Sequence, residues 1–178
     1  MNIYDFVVKG TDGSDVSLKN YEGKVLLVVN TATACGLTPQ YEAMQKLHDK
    51  YAGRGLMVLD FPCNQFLNQT PGSDAEIESF CTTNYGTTFT RFAKIDVNGA
   101  NADALYVWLK KQAGADKHHE AAAEFEGKVK QFTEGSTETD IKWNFGKFLI
   151  DKSGNVVARY SPICPPESLE GDIEGLLG

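Results

Sequence analysis

Lys24-Val25-Leu26-Leu27-Val28-Val29-Asn30 is a short run of β-branched and apolar residues with no polar residue interleaved. A strand with water on one face alternates; an unbroken run fits a strand covered on both faces, as in the middle of an α/β sheet. Beyond it a helix is predicted over Pro39 to Tyr51. Pro39 suits the first helical position, where its missing N–H costs nothing, and Thr38 suits the N-cap. Tyr41, Met44, Leu47, His48 and Tyr51 recur at helical spacing, and Leu56–Phe61 is a second buried-type strand. A β-α-β unit is the seed of the fold.

The flanks extend it. Upstream, Ile3–Val8 and Val16–Leu18 enclose the turn-rich Gly10-Thr11-Asp12-Gly13-Ser14 and read as a hairpin. Downstream, Ser73 with Glu76 makes a Ser-x-x-Glu capping box for a helix whose apolar face carries Ile77, Phe80 and Cys81. Phe89–Ile95 reads as extended and Ala102–Gln112 as helical. Phe145–Ile150 and Val156–Tyr160 read as a second hairpin, and Pro165-Pro166 opens a last helix with Leu169, Ile173 and Leu176. A β-α-β start joined to a β-β-α finish is the thioredoxin-like arrangement: an α/β fold with a mixed central sheet, helices on both faces, and here an N-terminal hairpin.

One domain is expected over residues 1–178, with an insertion at 113–140. That segment holds seven acidic residues and three lysines, a net of −4, more than half of the chain's −7. Ala121, Phe125, Val129 and Phe132 keep helical spacing within it, which predicts an amphipathic helix packed on the domain. It reads as a decorated surface helix, or alternatively as a subunit or partner contact.

A chain of 178 residues buries roughly 70% of its extended-chain surface on folding. No apolar stretch approaches a membrane span, and Met1-Asn2-Ile3-Tyr4-Asp5 lacks the basic and apolar regions of a signal peptide, so a soluble cytoplasmic protein is expected. The net charge of −7 argues against nucleic acid or anionic membrane as partner. The four cysteines, Cys35, Cys63, Cys81 and Cys164, contain no CxxC pair and are too few for a disulfide scaffold. The adjacent His118 and His119 would point in different directions on a helix; no metal and no cofactor are assigned.

Cys35 stands past the carboxyl end of a buried strand and before a helix, the place where such sheets expose reactive groups. A thiol there meets the positive end of the helix dipole, which favours the nucleophilic thiolate; the competing reading is a packed core cysteine. Cys35-Gly36-Leu37-Thr38 occupies the position of a thioredoxin CxxC, but Thr38 stands where the second cysteine would be, so a dithiol disulfide reductase cannot work with that pair. The peroxiredoxin pattern Pro-x-x-x-Thr-x-x-Cys fails too, at Val28 and Ala32.

Five blocks then carry a resemblance. Asn30-Thr31-Ala32-Thr33-Ala34-Cys35-Gly36-Leu37-Thr38, Phe61-Pro62-Cys63-Asn64-Gln65-Phe66, Gln69-Thr70-Pro71-Gly72, Lys94-Ile95-Asp96-Val97-Asn98-Gly99 and Trp143-Asn144-Phe145-Gly146-Lys147-Phe148-Leu149 run in the order of the glutathione peroxidase family, which the chain resembles outside 113–140. The resemblance implies a peroxidatic Cys35 assisted by Gln69, Trp143 and Asn144, whose amide and indole N–H groups can support a thiolate and a departing oxyanion without adding negative charge. Gln65 is a rival for the glutamine role. The resemblance also implies that Cys35 becomes a sulfenic acid, that Cys81 condenses with it as resolving cysteine, and that a thioredoxin-like dithiol protein reduces the disulfide. Glutathione is the alternative reductant; as an anion it would want basic residues, yet Arg54, Arg91 and Arg159 all lie more than ten residues from Cys35. A peroxide sensor relaying oxidation to a partner protein is the rival from another class. Cys63 is expected to be inert and Cys164 an exposed bystander.

Overall fold

Val25–Thr31 is buried at all seven positions, which its unbroken apolar run requires. The N-terminal hairpin supplies β1 (Val7–Lys9) and β2 (Asp15–Ser17), paired antiparallel, so the central strand is β3. The computed structural model describes residues 1–178. On one edge β3 pairs in parallel with β4 (Leu56–Pro62), from Val25↔Leu56 to Thr31↔Pro62. On the other it pairs antiparallel with β6 (Lys147–Ile150), from Leu26↔Ile150 to Val29↔Lys147. With β5 (Thr90–Arg91) parallel to β4 and β7 (Val156–Tyr160) antiparallel to β6, the sheet order is β5-β4-β3-β6-β7. Parallel strands thus come from the first half and the antiparallel pair from the second, as in thioredoxin-like folds.

The helices are α1 (Gln40–Tyr51), α2 (Asp74–Tyr85), α3 (Ala104–Gln112), α4 (Ala122–Val129) and α5 (Glu170–Leu177). In α1, Tyr41, Met44, Leu47 and Tyr51 are buried, the stripe foreseen from their spacing. At α2, Ser73 Oγ accepts the N–H of Glu76 at 3.2 Å and Gly86 closes the far end in the left-handed conformation. No helix is long and apolar enough to cross a membrane.

Several expectations shift: the first arm of the hairpin is strand only at Val7–Lys9, after a 3-10 turn at Ile3–Asp5, and the last α-helix begins at Glu170, after a 3-10 turn at Pro166–Leu169. The extended piece at 89–95 yields only Thr90–Arg91 as strand, because Phe92 bridges to Gly10 and the Ala93 N–H bonds Lys9 O at 2.9 Å, pulling the segment toward the hairpin. The strand expected from Phe145 begins at Lys147, since Phe145 takes φ +70°. The segment 113–140 does contain a helix, but α4 has only eight residues, followed by a 3-10 turn at Lys130–Phe132. Val129 is its buried residue, and Lys117 lies against Tyr160 of β7, its N–H bonded to Arg159 O at 2.7 Å. At Lys117 the insertion thus occupies one position on the outer edge of the sheet, an edge open to pairing with another chain.

Candidate active site

The loop leaving β3 buries Ala32, Cys35 and Thr38 while Ala34 and Gly36 stay exposed, which puts the Cys35 side chain, 8% exposed, just below the surface. Thr38 shapes this loop. Its Oγ1 accepts the Cys35 N–H at 2.9 Å and donates to Ala32 O at 2.9 Å, and its own N–H bonds Cys35 O at 3.0 Å. Thr38 is consequently not the N-cap: α1 starts at Gln40, after Pro39, without a side-chain cap. The donor that reaches the sulfur is also not the helix terminus. The backbone N–H of Leu37, inside the loop, points at Cys35 Sγ from 3.3 Å. Thr38→Val, nearly isosteric, should strand the buried Cys35 N–H and Ala32 carbonyl; we expect a loss of about 1–3 kcal/mol in chemical denaturation and a slower first oxidation by peroxide.

Gln69 is held beside this loop by its backbone. Its carbonyl accepts the Ala34 N–H at 2.9 Å and the Thr33 hydroxyl at 3.4 Å. The approach depends on a sharp reversal in which Leu67 (φ +53°) and Asn68 (φ +51°) are both left-handed. Asn64 braces it, accepting the Thr70 N–H at 2.9 Å and donating to Asn68 Oδ1 at 3.3 Å. The rival Gln65 is occupied elsewhere: its Oε1 accepts the N–H groups of Val97 (2.7 Å) and Asn98 (3.0 Å), and its Nε2 donates to Asn98 O.

Trp143 and Asn144 arrive from the segment before β6. Asn144, fully buried, donates through Nδ2 to Gln69 Oε1 at 2.9 Å. Gln69 accordingly keeps its amide NH2 as free donor capacity. Trp143 is 6% exposed, its ring between Phe66 and Phe132 at centroid distances of 5.6 and 5.8 Å. Asn30, at the end of β3, fixes this segment by donating to Trp143 O at 3.0 Å while its own carbonyl accepts the Phe145 N–H at 2.6 Å. The structure thus joins the Gln69 backbone to the Cys35 loop and the Gln69 side chain to Asn144, and brings Trp143 in on the same segment as Asn144.

Several residues at the site carried no functional signal in the sequence. Phe132, from the acidic insertion, was legible only as part of an amphipathic stripe. Thr38 read as a helix cap, and Lys147 as one letter of a motif. Lys147 is fully buried; its Nζ donates to Phe145 O at 2.6 Å and to Pro162 O at 3.2 Å, tying the Trp143-Asn144 segment to the turn after β7. Burial pulls its amine down to about 7, opposed by the nearby Cys164, Asp116 and Glu167. Between pH 7 and the ordinary value of 10.5 the unfolded chain holds a proton that the folded chain has released, so this residue makes stability rise with pH. Denaturation of the parent and Lys147→Met across that window should diverge by up to about 1.4 kcal/mol per pH unit, the parent gaining.

The remaining cysteines are unpaired thiols. Cys63 and Cys81 are fully buried, and burial pushes each thiol up to about 11. Cys164 was expected at the surface but is only 5% exposed, folded under the turn of Pro165 and Pro166 with Sγ 3.1 Å from Ser168 Oγ. No three His, Cys, Asp or Glu side chains group as a metal site.

The model of the glutathione peroxidase family matches residues 3–110, more than half of the chain. A glutathione peroxidase homolog from Neisseria meningitidis serogroup B is 51% identical over 177 residues, covering 99% of this chain and all of the relative. A hydroperoxy fatty acid reductase from Synechocystis is 47% identical over 175 residues, 98% of this chain and 95% of the relative. Among solved structures, T. cruzi GPX1 superposes with a TM-score of 0.73 at 35% identity, over all of this chain and 97% of the other. The family model and these full-length relatives, on a thioredoxin-like sheet, make the chain a thiol peroxidase, an enzyme that reduces hydroperoxides. The chain belongs to the glutathione peroxidase family.

Proposed function

We propose that Cys35 is the peroxidatic nucleophile, with Gln69, Trp143 and Asn144 as the donor set, and that Cys81 resolves the oxidised enzyme for reduction by thioredoxin or a similar dithiol protein. The observation that carries this reading is the Asn144 Nδ2–Gln69 Oε1 bond at 2.9 Å on a loop whose Gln69 carbonyl also holds Ala34, the neighbour of Cys35. Cys35 thiolate attacks one peroxide oxygen, the O–O bond breaks, and the departing oxyanion takes a proton to leave as water or alcohol. Cys35 sulfenic acid then condenses with the Cys81 thiol, releasing water and leaving a disulfide. Amide and indole donors stabilise the oxyanion while it forms.

A dithiol protein is the favoured reductant because the second thiol is present on α2 and because two of the three arginines are engaged in other ion pairs. Arg91 bonds Asp60, and Arg159 pairs with Asp116 at 2.9 Å, leaving neither for the carboxylates of glutathione. Four free thiols suit a reducing compartment such as the cytoplasm. The apolar Phe66–Trp143–Phe132 wall and the name of the Synechocystis relative favour hydroperoxides with an organic tail over hydrogen peroxide alone. We treat the protein as one domain with 113–140 as its insertion.

The test is an NADPH-coupled assay with thioredoxin against glutathione, on the parent and on Cys81→Ser. Thioredoxin-driven turnover should collapse in Cys81→Ser while the single oxidation of Cys35 persists; unchanged turnover excludes Cys81 as the resolving thiol. The same assay separates a scavenger from a sensor, since a sensor would stop after one equivalent of peroxide and accumulate a mixed disulfide with its client.

A further inference from the structure

Cys81 does not lie open to Cys35. It is fully enclosed between α2 and a buried polar cluster, and this cluster has a member whose placement the peroxidase chemistry by itself does not call for. Arg91, on the short edge strand β5, is a fully sequestered guanidinium, its side chain 1% exposed. Its Nε donates to Asp60 Oδ2 at 2.8 Å and its Nη2 to Thr87 Oγ1 at 3.1 Å. Asp60 also accepts the hydroxyls of Tyr41 (2.9 Å) and Thr31. The third arm of Arg91 reaches outward: Nη1 donates to Glu78 Oε2 at 2.8 Å. Glu78 lies on α2, three residues before Cys81, with its side chain half exposed.

Elsewhere α2 is held by its buried Ile77 and Cys81, by Phe80 and by Tyr85, whose ring packs on Tyr41 at 5.6 Å; its side chains hydrogen-bond the rest of the protein at two points. Asp74 accepts the Lys94 N–H at 2.8 Å at the helix start, and Glu78 takes Arg91 in the turn that leads to Cys81. A disulfide needs Cα atoms within about 7 Å and sulfurs aligned, so a thiol packed under its own helix can reach the Cys35 loop only if α2 opens locally.

We propose that Arg91 is a positioning residue for the resolving step, and that its ion pair with Glu78 is the clasp whose opening releases Cys81. The inference rests on Cys81 being the resolving thiol. Anchored by Asp60 and Thr87, the guanidinium is a fixed post to which the helix is fastened by a single exposed carboxylate. While the clasp is shut, Cys35 sulfenic acid persists and remains open to further oxidation. Once it opens, Cys35–SOH and Cys81–SH condense to the disulfide with loss of water, and no oxidant beyond the first peroxide is consumed.

Glu78→Gln tests this, since it removes the charge and keeps length and helix preference. Parent, Glu78→Gln and Cys81→Ser are each given one equivalent of hydrogen peroxide in a rapid-quench instrument. Sulfenic acid is trapped with dimedone, the Cys35–Cys81 disulfide is followed by peptide mass, and deuterium uptake of residues 74–85 is measured on the reduced proteins. In Glu78→Gln we expect disulfide formation and α2 exchange both to quicken roughly two- to fivefold, the range of a partly exposed ion pair, with the first oxidation of Cys35 unchanged. A disulfide rate equal to or below the parent's overturns the clasp. If Cys81→Ser still forms an intramolecular disulfide at the parent's rate, the assignment of Cys81 fails instead, and the clasp with it.

Discussion

Cys35→Ser is expected to lower hydroperoxide consumption to that of buffer, a fall of at least roughly a thousandfold. The serine side chain fits the same loop, accepts the same Leu37 N–H and leaves the Thr38 bonds in place, so the fold should survive. What it cannot do is supply a thiolate, and a neutral hydroxyl does not attack an O–O bond at a useful rate. The remaining thiols offer no substitute. Cys63 and Cys81 are fully buried with their acidity weakened by burial, and Cys164 is tucked beside Ser168. The check has two parts: peroxide removal with thioredoxin and NADPH, and thermal denaturation to show a native Tm. A folded Cys35→Ser protein that turns over at the parent's speed would move the nucleophile elsewhere.

Arg91→Leu should be the most damaging single change to stability outside the apolar core. The substitution leaves Asp60, fully buried on β4, facing an apolar side chain, and losing one partner of a buried pair costs about 3–5 kcal/mol. Burial already pushes the Asp60 carboxyl up, with Arg91 the main opposing influence, so without arginine the carboxyl would take up a proton or admit water. In a chain of this length each kcal/mol moves Tm by about 2–4 °C, so the melting point should drop by roughly 6–20 °C. The double variant Asp60→Asn with Arg91→Leu removes the unpaired charge and should recover part of that loss. A double variant as unstable as the sum of both singles would show that hydrogen bonding from Tyr41 and Thr31, rather than the ion pair, holds the cluster together.

Much of the architecture was legible because period and burial agree. The run at 24–30 could serve only a strand covered on both faces, and the stripe from Tyr41 to Tyr51 only a helix against it. The parts that misread are those where a tertiary contact overrides a local preference. Thr38 has the chemistry of a cap, but two partners inside the Cys35 loop outcompete the helix terminus. Phe145 looks like strand, yet the bond between its N–H and Asn30 O accompanies a left-handed turn that no local pattern announces. Cys164 sits among prolines that suggest a surface turn, and the turn folds inward instead. Within the site, the residue types could be named from motif order. The pairing of Gln69 with Asn144, the aromatic flank supplied by Phe132 and the Arg91–Glu78 link all join residues far apart in the chain, and spacing carries no information about them.

The placement of β3 has a consequence for biosynthesis. Its parallel neighbour β4 follows within about thirty residues, but its antiparallel neighbour joins Leu26 to Ile150, at the far end of the chain. While the polypeptide leaves the ribosome, seven consecutive residues of a strand built to be hidden have one margin bare until β6, more than a hundred residues further on, has emerged. Such a margin can pair with any passing strand. The nascent chain therefore carries an open strand edge for longer than one whose strands pair with close neighbours in sequence.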